Sequence, residues 1–317
     1  MSVLVFIETE DGKIKKSSRE AITYGAALGE VTALALGTVS AEELATAGKN
    51  GATKVLHVAD ERLNDGLIQP YAEALSAAAT EVGADIIVTA KSSLADAVVG
   101  RVSMKLGAAL VSNVVALPDT SNGFQVKRSI YTGKAFANVN MTTDKKILAI
   151  KKNAVEVKED GGTATVEAFS VALDDSLFGS KITSTEKAEG DVLLPEADIV
   201  VSGGRGLKGP ENWGIIEDLA KTLGAATGCS KPVSDMDWRP HHEHVGQTGV
   251  KVSPTLYIAV GISGAIQHLA GVNSSKYIVV INKDEEAPFF KAADYGIVGD
   301  AFEVLPKLNE ALKAALA

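Results

Sequence analysis

Short apolar runs alternate with segments of helical periodicity in the first part of the chain. The apolar runs are rich in Val, Ile and Leu, which is typical of strands. The segments between them carry apolar residues three and four positions apart, which is typical of amphipathic helices. This order predicts βαβ units and a mostly parallel sheet. The predicted strands are 3–8, 31–36, 54–58 and 85–89, and the predicted helices are 16–28, 41–47, 67–82 and 93–110.

After Pro118 the pattern changes to β-rich segments separated by Asn-Gly and Gly-Gly turn signals. We expect antiparallel strands that close the first domain, at 123–132, 135–140, 146–151 and 163–169. The polar stretch 174–189 is rich in Ser, Thr and Lys, a composition typical of linkers. We therefore divide the chain into an N-terminal α/β domain, 1–189, and a C-terminal α/β domain, 190–317.

The second half of the chain repeats the alternation of strands and helices. The predicted fold is a second Rossmann-like, doubly wound domain, in which ligands bind outside the carboxyl ends of the strands. The loops at those ends are therefore the segments to search for chemistry. The predicted strands are 199–202, 256–260, 277–282 and 296–299, and the predicted helices are 213–223, 266–270 and 305–316.

Composition and charge narrow the class of protein. The 317 residues are 46% hydrophobic and 22% charged, which is typical of globular α/β proteins, and the net charge of −9 argues against a nucleic-acid partner. There is no run of about 18 apolar residues and no signal-type N-terminus, so we expect a cytoplasmic protein without membrane insertion. The single Cys229 excludes a disulfide framework in this chain, and we interpret it as a packed, inert thiol.

Two glycine-rich loops are candidate ligand loops. The first follows the strand at 199–202 and contains Gly203, Gly204 and Gly206, which would let backbone approach a ligand, and Arg205, which offers a planar cation. The second is 245–249. An ordinary turn has the same composition as either loop, so neither is specific alone.

The strongest signal is the segment 256–271. A strand leads into a Ser-Gly turn that begins a helix, and the first helical turn carries Gln267 and His268. Amide donors, a hydroxyl and an imidazole at a positive helix end suit an anionic or hydrogen-bonding cofactor. The next strand ends in Asn282, which is again polar at a strand tip.

Other residues have simpler interpretations. His241, His242 and His244 lie on a predicted loop without the i, i+4 spacing of a helical zinc pair, so we expect no metal site there. We interpret His57 as a strand histidine with a local hydrogen bond and Trp213 as a packing residue. No catalytic constellation of nucleophile and base, or of paired carboxylates, is evident.

The stretch 256–282 closely resembles the signature of electron-transfer flavoprotein alpha subunits, and 202–208, 245–249 and 287–300 resemble that family as well. The resemblance is dense over 199–300 and weaker in the first domain. It implies that the C-terminal domain holds an extended FAD whose flavin ring faces a partner subunit. Two positions depart from the family pattern: Val280 replaces an alanine, and Lys231 replaces an arginine next to the flavin.

The resemblance also implies the cofactor-binding residues. Those near the flavin ring and ribityl chain are Arg205, Ser230, Lys231, Val245, Gly246, Gln247 and Thr248. Those taking the pyrophosphate, with the histidine near the pyrimidine carbonyl, are Ser263, Gly264, Ala265, Ile266, Gln267 and His268. Those serving the adenosine end are Asn282, Asp300 and Ala301.

The function that the resemblance implies is that of an electron carrier in processes such as fatty-acid β-oxidation. The chain would pair with the family's beta subunit, which is expected to hold AMP or a second FAD. It would accept electrons from acyl-CoA and related dehydrogenases and pass them to a quinone oxidoreductase or another acceptor. The alternatives are a nucleotide-binding regulatory protein and a stand-alone flavin dehydrogenase, because both halves have nucleotide-binding patterns.

Overall fold

The computed structural model describes residues 1–133, 135–184, 194–195 and 197–316. The chain divides into two compact units, Met1–Thr185 and Glu186–Ala317. The predicted boundary between residues 189 and 190 lies outside the described residues. Both units are mixed α/β structures with parallel sheets, which confirms the predicted fold class.

The first unit is built on a mostly parallel sheet of nine strands of the described chain, in the order β11-β5-β4-β1-β6-β10-β7-β8-β9. Its strands are β1 Ser2–Phe6, β4 Glu30–Leu36, β5 Ala52–Val58, β6 Ile86–Ala90, β7 Ala109–Val114, β8 Gln125–Ile130, β9 Ala135–Asn140, β10 Lys146–Ile150 and β11 Thr165–Ala168, and a separate hairpin has β2 Thr9–Glu10 and β3 Lys13–Ile14. Its helices are α1 Lys16–Ala26, α2 Ala41–Ala45, α3 Ile68–Glu81 and α4 Ser93–Leu106.

Apolar side chains alternate between two cores on the two faces of this sheet. Val3 and Val5 pack in one core, and Leu4 and Phe6 pack in the other. Burial on both faces explains why these strands are continuous hydrophobic runs in the sequence. His57 on β5 has its Nε2 atom 2.8 Å from the Gly37 carbonyl oxygen, which confirms the predicted local hydrogen bond.

The prediction that antiparallel strands close the first domain is only partly correct. Strands β8 and β9 are antiparallel, but β10 lies between β6 and β7 in parallel register and β11 pairs with β5 in parallel. The sequence of β10, Lys-Ile-Leu-Ala-Ile, is apolar without alternation, which is typical of a strand buried on both faces. The helix predicted to reach residue 110 ends at Leu106, because Gly107 adopts a left-handed φ of +61°.

The first part of the predicted linker packs onto the first unit. Asp174 caps a short 3-10 helix, Asp175–Phe178. Arg62 pairs with Asp175 at 3.0 Å and lies 4.5 Å from the centre of the Phe178 ring. The polar composition of this segment therefore did not reveal that Asp175 and Phe178 contact Arg62 of the first unit. Residues 185–189 lie outside the described residues.

The second unit has a parallel sheet of five strands of the described chain, in the order β13-β12-β14-β15-β16. Successive strand residues such as Val200 and Val201 belong to cores on opposite faces. Its strands are β12 Ile199–Gly203, β13 Ala226–Cys229, β14 Leu256–Val260, β15 Tyr277–Asn282 and β16 Tyr295–Val298, and its helices are α5 Gly214–Leu223, α6 Lys231–Asp235, α7 Ile266–Val272 and α8 Ala301–Leu316.

Three features of the second unit differ from the prediction. Strand β13 and helix α6 were not predicted, since four and five residues are too short for a periodic pattern. Helix α8 was predicted to begin at residue 305, but it begins at Ala301, where the Asp300 carboxylate accepts a hydrogen bond from the Phe302 N–H at 3.0 Å. None of the described helices has the length and apolar composition needed to cross a membrane.

Candidate functional site

The strand order of the second unit creates a topological switch point at one end of its sheet. The chain passes from β12 to β13 on one side, then crosses back to β14 on the other side of β12. At such a switch point the loops after the two central strands diverge, and ligands of doubly wound sheets bind between them. The candidate site is therefore at the carboxyl ends of β12 and β14.

Glycines let the loops after β12 and β14 cross in backbone contact. The Gly204 N–H donates to the Val260 carbonyl at 2.9 Å, and the Gly206 N–H donates to the Gly261 carbonyl at 3.1 Å. A Cβ on Gly204 would lie 2.2 Å from the Gly261 oxygen, and one on Gly206 would lie 2.7 Å from the Gly261 Cα. The sequence predicts that these glycines let backbone approach a ligand, whereas the structure uses them for contact within the chain.

Gly203 likewise faces the protein itself. A Cβ there would lie 2.6 Å from the Trp213 ring. Trp213 is 3% exposed and belongs to the core beside α5, which confirms its interpretation as a packing residue. Gly203, Gly204 and Gly206 therefore determine how the loops pack and do not themselves leave space for a ligand.

Arg205 is a free cation at the mouth of this cleft. It is exposed in a short 3-10 turn, Arg205–Leu207, and no described residue forms a hydrogen bond or ion pair with its guanidinium. Lys208, three residues further on, pairs with Asp300 at 4.0 Å and lies over the Phe302 ring. The unpaired guanidinium is therefore available to an anionic or aromatic ligand.

The turn after β14 presents polar groups at the start of α7. Ser263 and Gln267 are exposed, and Ala265 provides no side-chain cap to the helix. Uncapped first-turn N–H groups are donors that a ligand can use. The fold itself requires a glycine at position 264, because its φ is +82° and a Cβ would lie 2.4 Å from the Phe289 Cβ.

The loop 245–249 is joined to this turn. The Gln247 N–H donates to the Gln267 carbonyl at 2.7 Å, and the Val245 N–H donates to the Cys229 carbonyl at 2.9 Å. Val245 is buried, while the side chains of Gln247 and Thr248 are exposed. Two signals that are separate in the sequence are thus neighbours in one site.

Strand β13 brings Ser230 and Lys231 to the same end of the sheet. Ser230 is 6% exposed and begins α6 without capping it through its side chain. The Lys231 ammonium pairs with the Asp235 carboxylate at 3.0 Å, and both side chains are more than half exposed. Cys229 is fully buried and burial raises its pKa to about 12, which confirms a packed, inert thiol.

The residues implied for the adenosine end hold the loops of β15 and β16. The Asn282 side chain donates to the Ile262 carbonyl at 3.1 Å and accepts from the Asp284 N–H at 3.1 Å. Asp300 caps α8 through Phe302, as described above, and Ala301 is 7% exposed at the start of that helix. These side chains already have structural partners, and any ligand contact adds to that role.

His268 is more enclosed than the sequence suggested. It is 6% exposed, and its Nε2 atom lies 2.9 Å from the Tyr257 hydroxyl. The Phe289 ring packs against it with centroids 5.6 Å apart. Burial first, and then the nearby His244, lower the pKa of His268 to about 4, so the imidazole is neutral at pH 7.

Tyr257, Ser202 and His244 belong to this enclosed cluster and were missed by sequence reasoning. All three are at most 2% exposed. The His244 Nδ1 atom is buried without a hydrogen-bond partner among the described residues, whereas Ser202 hydrogen-bonds to Tyr257 and His268 to the Val245 backbone. A polar residue inside an otherwise apolar strand, as at Ser202 and Tyr257, was the available signal, since such groups usually have a partner.

The arrangement suits the binding of an anionic ligand. The cleft combines a free guanidinium, uncapped helix N–H groups and the hydroxyls of Ser230, Thr248 and Ser263, which together suit an anionic ligand rich in acceptors. In the described part of the chain no group of three His, Cys, Asp or Glu residues is arranged to hold a metal ion.

Comparison with known proteins identifies similar chains. A family model described as an electron transfer flavoprotein domain matches residues 3–174, and one described as an electron transfer flavoprotein FAD-binding domain matches residues 193–273. The electron transfer flavoprotein subunit alpha of Paracoccus denitrificans is 41% identical, covering 98% of this chain and 99% of that protein. The protein of the same name from Bacillus subtilis is 38% identical, covering 98% of this chain and 97% of that protein. The one from Mycobacterium leprae is 36% identical, covering 98% of this chain and 98% of that protein.

Proposed function

Since this chain belongs to the electron transfer flavoprotein alpha-subunit family, we propose that its second unit binds FAD in the cleft at the carboxyl ends of β12 and β14. The observation that carries this proposal is the crossing of the β12 and β14 loops, which brings Arg205 and the turn 263–267 to one end of the sheet. The family model for FAD binding matches the part of the chain that contains both.

The chemistry of the cleft fits FAD. The pyrophosphate needs cations or N–H donors, and the uncapped start of α7 offers N–H donors, while the Arg205 guanidinium suits the acceptor-rich edge of the flavin ring. The ribityl chain and flavin edge carry acceptors and hydroxyls, for which Thr248 and Ser230 offer hydrogen bonds. The Nδ1 atom of His244, which has no hydrogen-bond partner among the described residues, gives the site a further polar group next to the loop 245–248. When bound, FAD supplies reversible electron uptake, and the protein binds it and sets its electrostatic environment.

We assign the site residues by region. Arg205, Ser230, Lys231, Val245, Gly246, Gln247 and Thr248 lie beside the ring and ribityl chain, and Ser263, Gly264, Ala265, Ile266, Gln267 and His268 form the pyrophosphate turn. Asn282, Asp300 and Ala301 support the adenosine end. Within this set Gly264 and Asp300 act mainly through the fold, because their contacts are with Phe289 and with α8.

The partners follow from membership of the family. We propose that the beta subunit covers the flavin and holds AMP or a second FAD. Electrons would arrive from acyl-CoA and related dehydrogenases and leave to a quinone oxidoreductase or another acceptor. The chain itself is an electron carrier and has no small-molecule substrate.

The test is cofactor content and affinity after removal of Arg205. The parent chain, purified with its beta subunit, is expected to be yellow with one equivalent of FAD on this chain. Arg205→Ala should weaken FAD binding by roughly 10- to 100-fold, because a charge-assisted contact contributes about 1.5–3 kcal/mol. Arg101→Ala, at an exposed arginine of the first unit, is the matched control and should leave affinity unchanged.

The alternatives have their own outcomes in the same experiment. A colourless parent protein that binds only AMP or ATP would identify a nucleotide-binding regulatory protein. Turnover of a small substrate without any partner would identify a stand-alone flavin dehydrogenase. An Arg205→Ala variant with parental affinity would remove that residue from the site.

A further inference from the structure

The chain contains two Asn-Gly dipeptides, Asn50-Gly51 and Asn122-Gly123, and both lie in the first unit. Asparagine is among the thermolabile residues of proteins. A glycine after it has no side chain, so its backbone nitrogen can approach the side-chain amide of the asparagine closely. Because the two dipeptides are identical in sequence, the fold decides whether they differ in reactivity.

The dipeptide Asn122-Gly123 lies at the tip of the turn between β7 and β8. Residues 121–123 are exposed. The base of the turn is closed by Asp119 and Gln125, whose backbone N–H groups each donate to the carbonyl of the other, at 2.8 and 2.9 Å. In the part of the chain that the structure describes, no group forms a hydrogen bond with the Asn122 side chain or with the Gly123 N–H. Both reacting groups are therefore accessible and unengaged.

The dipeptide Asn50-Gly51 is held by the fold in the opposite way. Asn50 is 3% exposed, its Oδ1 atom accepts from the Arg19 guanidinium at 3.1 Å, and its Nδ2 atom donates to the Lys158 carbonyl at 2.8 Å. The Gly51 N–H donates to the Gly48 carbonyl at 3.0 Å. The same reaction here requires these three hydrogen bonds to break in a local opening of the first unit.

We propose that Asn122 is a site of spontaneous covalent modification in the folded protein, at which the Gly123 nitrogen displaces ammonia from the side-chain amide, whereas the fold protects Asn50. The bond that forms joins the Gly123 nitrogen to the Asn122 Cγ, and the bond that breaks joins Cγ to Nδ2. The proton of the Gly123 N–H leaves with the ammonia. The inference is independent of the proposed function.

Water completes the reaction by opening the cyclic imide that joins Asn122 and Gly123. Addition of water at Cγ breaks the new bond and leaves an aspartate. Addition at the main-chain carbonyl carbon breaks the original peptide bond and leaves an isoaspartate, whose main chain continues through the side-chain carbon. Neither route oxidises or reduces any atom, and water is the only reactant taken from outside the chain.

The modification changes the charge and shape of the turn more than the sheet. Each product has a carboxylate where Asn122 has a neutral amide, so a chain of net charge −9 gains one further negative charge. The isoaspartate also adds one carbon to the main chain of an exposed turn. The next residue, Phe124, is 9% exposed, and its carbonyl accepts from the Met141 N–H at 2.9 Å. This anchor should keep the strands in place.

The experiment uses the complex of the full chain with its beta subunit, incubated at mildly alkaline pH in water enriched in ¹⁸O. The isotope enters each carboxylate formed during the incubation, and mass spectrometry of proteolytic peptides locates it. We expect labelled product at Asn122 and at least about tenfold less at Asn50, since a tenfold difference needs an opening cost of only about 1.4 kcal/mol. Enzymatic methylation of isoaspartate measures the share of that product.

Two controls separate the effect of the fold from that of the dipeptide. In urea, where the chain is unfolded, the two asparagines should react at similar rates. Asn122→Gln, at an exposed position of the turn, should remove the labelled product there, because glutamine would have to close a larger ring, and should leave Asn50 as in the parent.

An Asn122 that stays intact in the folded complex while the unfolded chain reacts would overturn the inference. Equal rates at Asn50 and Asn122 in the folded complex would also overturn it, because the fold would then not select the site. The flavin content of the same sample tests the proposed function separately, since the reaction at Asn122 needs no cofactor.

Discussion

Lys231 stands where the resembled family has an arginine, and its ammonium pairs with Asp235 on the exposed face of α6. An exposed pair of this kind contributes little stability, so it does not hold the side chain firmly. The ammonium is therefore free to turn toward a negatively charged ligand at the adjacent cleft. At the scale of one residue, Lys231 can therefore act on the proposed flavin site.

We predict that Lys231→Ala lowers the first reduction potential of the bound flavin, because a nearby cation favours the form that has gained an electron. Lys231→Arg should retain or raise it, since the guanidinium remains charged and donates through a planar fork. Potentiometric titration of the parent and both variants at one pH measures this. Equal potentials in the alanine variant and the parent would mean that Lys231 points to solvent.

Gly264 and Ser263 separate folding from binding at neighbouring positions. Gly264→Val should destabilise the protein by about 2–4 kcal/mol, because φ is +82° and the new side chain would meet the Phe289 backbone. Gly83→Val is the matched control: φ is +59° with open space around the Cβ, so the cost should be smaller. Chemical unfolding measures both.

Ser263→Ala should keep stability and weaken FAD binding by about 1 kcal/mol.

The buried His268 should make the protein sensitive to acid. Its pKa falls from 6.5 to about 4 on folding, so the unfolded chain binds a proton that the folded chain does not. The stability is complete above pH 6.5 and decreases as the pH falls toward 4, by at most about 3 kcal/mol. In the flavin-free chain, urea unfolding over this pH range should show the loss, and His268→Gln should flatten it. A parental slope in that variant would assign the acid sensitivity to other groups.

At the scale of an element, helix α8 links a predicted binding residue to the fold. Asp300 accepts the Phe302 N–H and is the N-cap of a helix of sixteen residues, while Lys208 lies at 4.0 Å. A carboxylate here stabilises the helix whether or not a ligand is bound. The presence of Asp300 in a family motif therefore does not distinguish a ligand contact from capping of helix α8.

Substitution of Asp300 distinguishes them. Asp300→Ala should destabilise the protein by about 1 kcal/mol through loss of the cap, and Asp300→Asn should preserve most of the stability. If Asp300 also contacts the adenosine end, the asparagine variant should still bind FAD more weakly than the parent. Unfolding curves and flavin affinity measured together decide this, and parental affinity in the asparagine variant would leave only the capping role.

At the scale of the whole molecule, the side chains assigned to the flavin lie mostly on the surface of this chain. Arg205, Gln247, Thr248 and Ser263 are exposed. A flavin held by exposed groups of one chain keeps one face open unless another protein covers it. This supports an obligate pairing with the beta subunit.

We therefore predict that the chain separated from its beta subunit loses much of its FAD. Gel filtration followed by flavin absorbance measures the amount retained, and adding the beta subunit back should restore stoichiometric cofactor by linkage. A separated chain that kept one FAD and accepted electrons at the full rate would contradict the pairing.

The membership of the family, the α/β class and most elements of both units could be predicted from the sequence. Local periodicity identifies a strand such as β14 or a helix such as α3, because burial of one face or two faces imposes a spacing on apolar residues. The motif around Ser263 and His268 identified the family, which the comparisons confirm. Its assigned binding residues remain predictions.

Contacts between distant segments were decided only by the tertiary structure. The sequence does not state that β10 inserts between β6 and β7, or that Gly204 and Gly206 meet Gly261, because a periodic pattern describes one segment and not its neighbour in the sheet. The burial of His268 against Tyr257 and its proximity to His244 have the same origin. Sequence therefore determined which segments form strands, helices and the candidate cofactor motif, whereas packing of remote segments determined which polar groups are free to bind and which are already used by the fold.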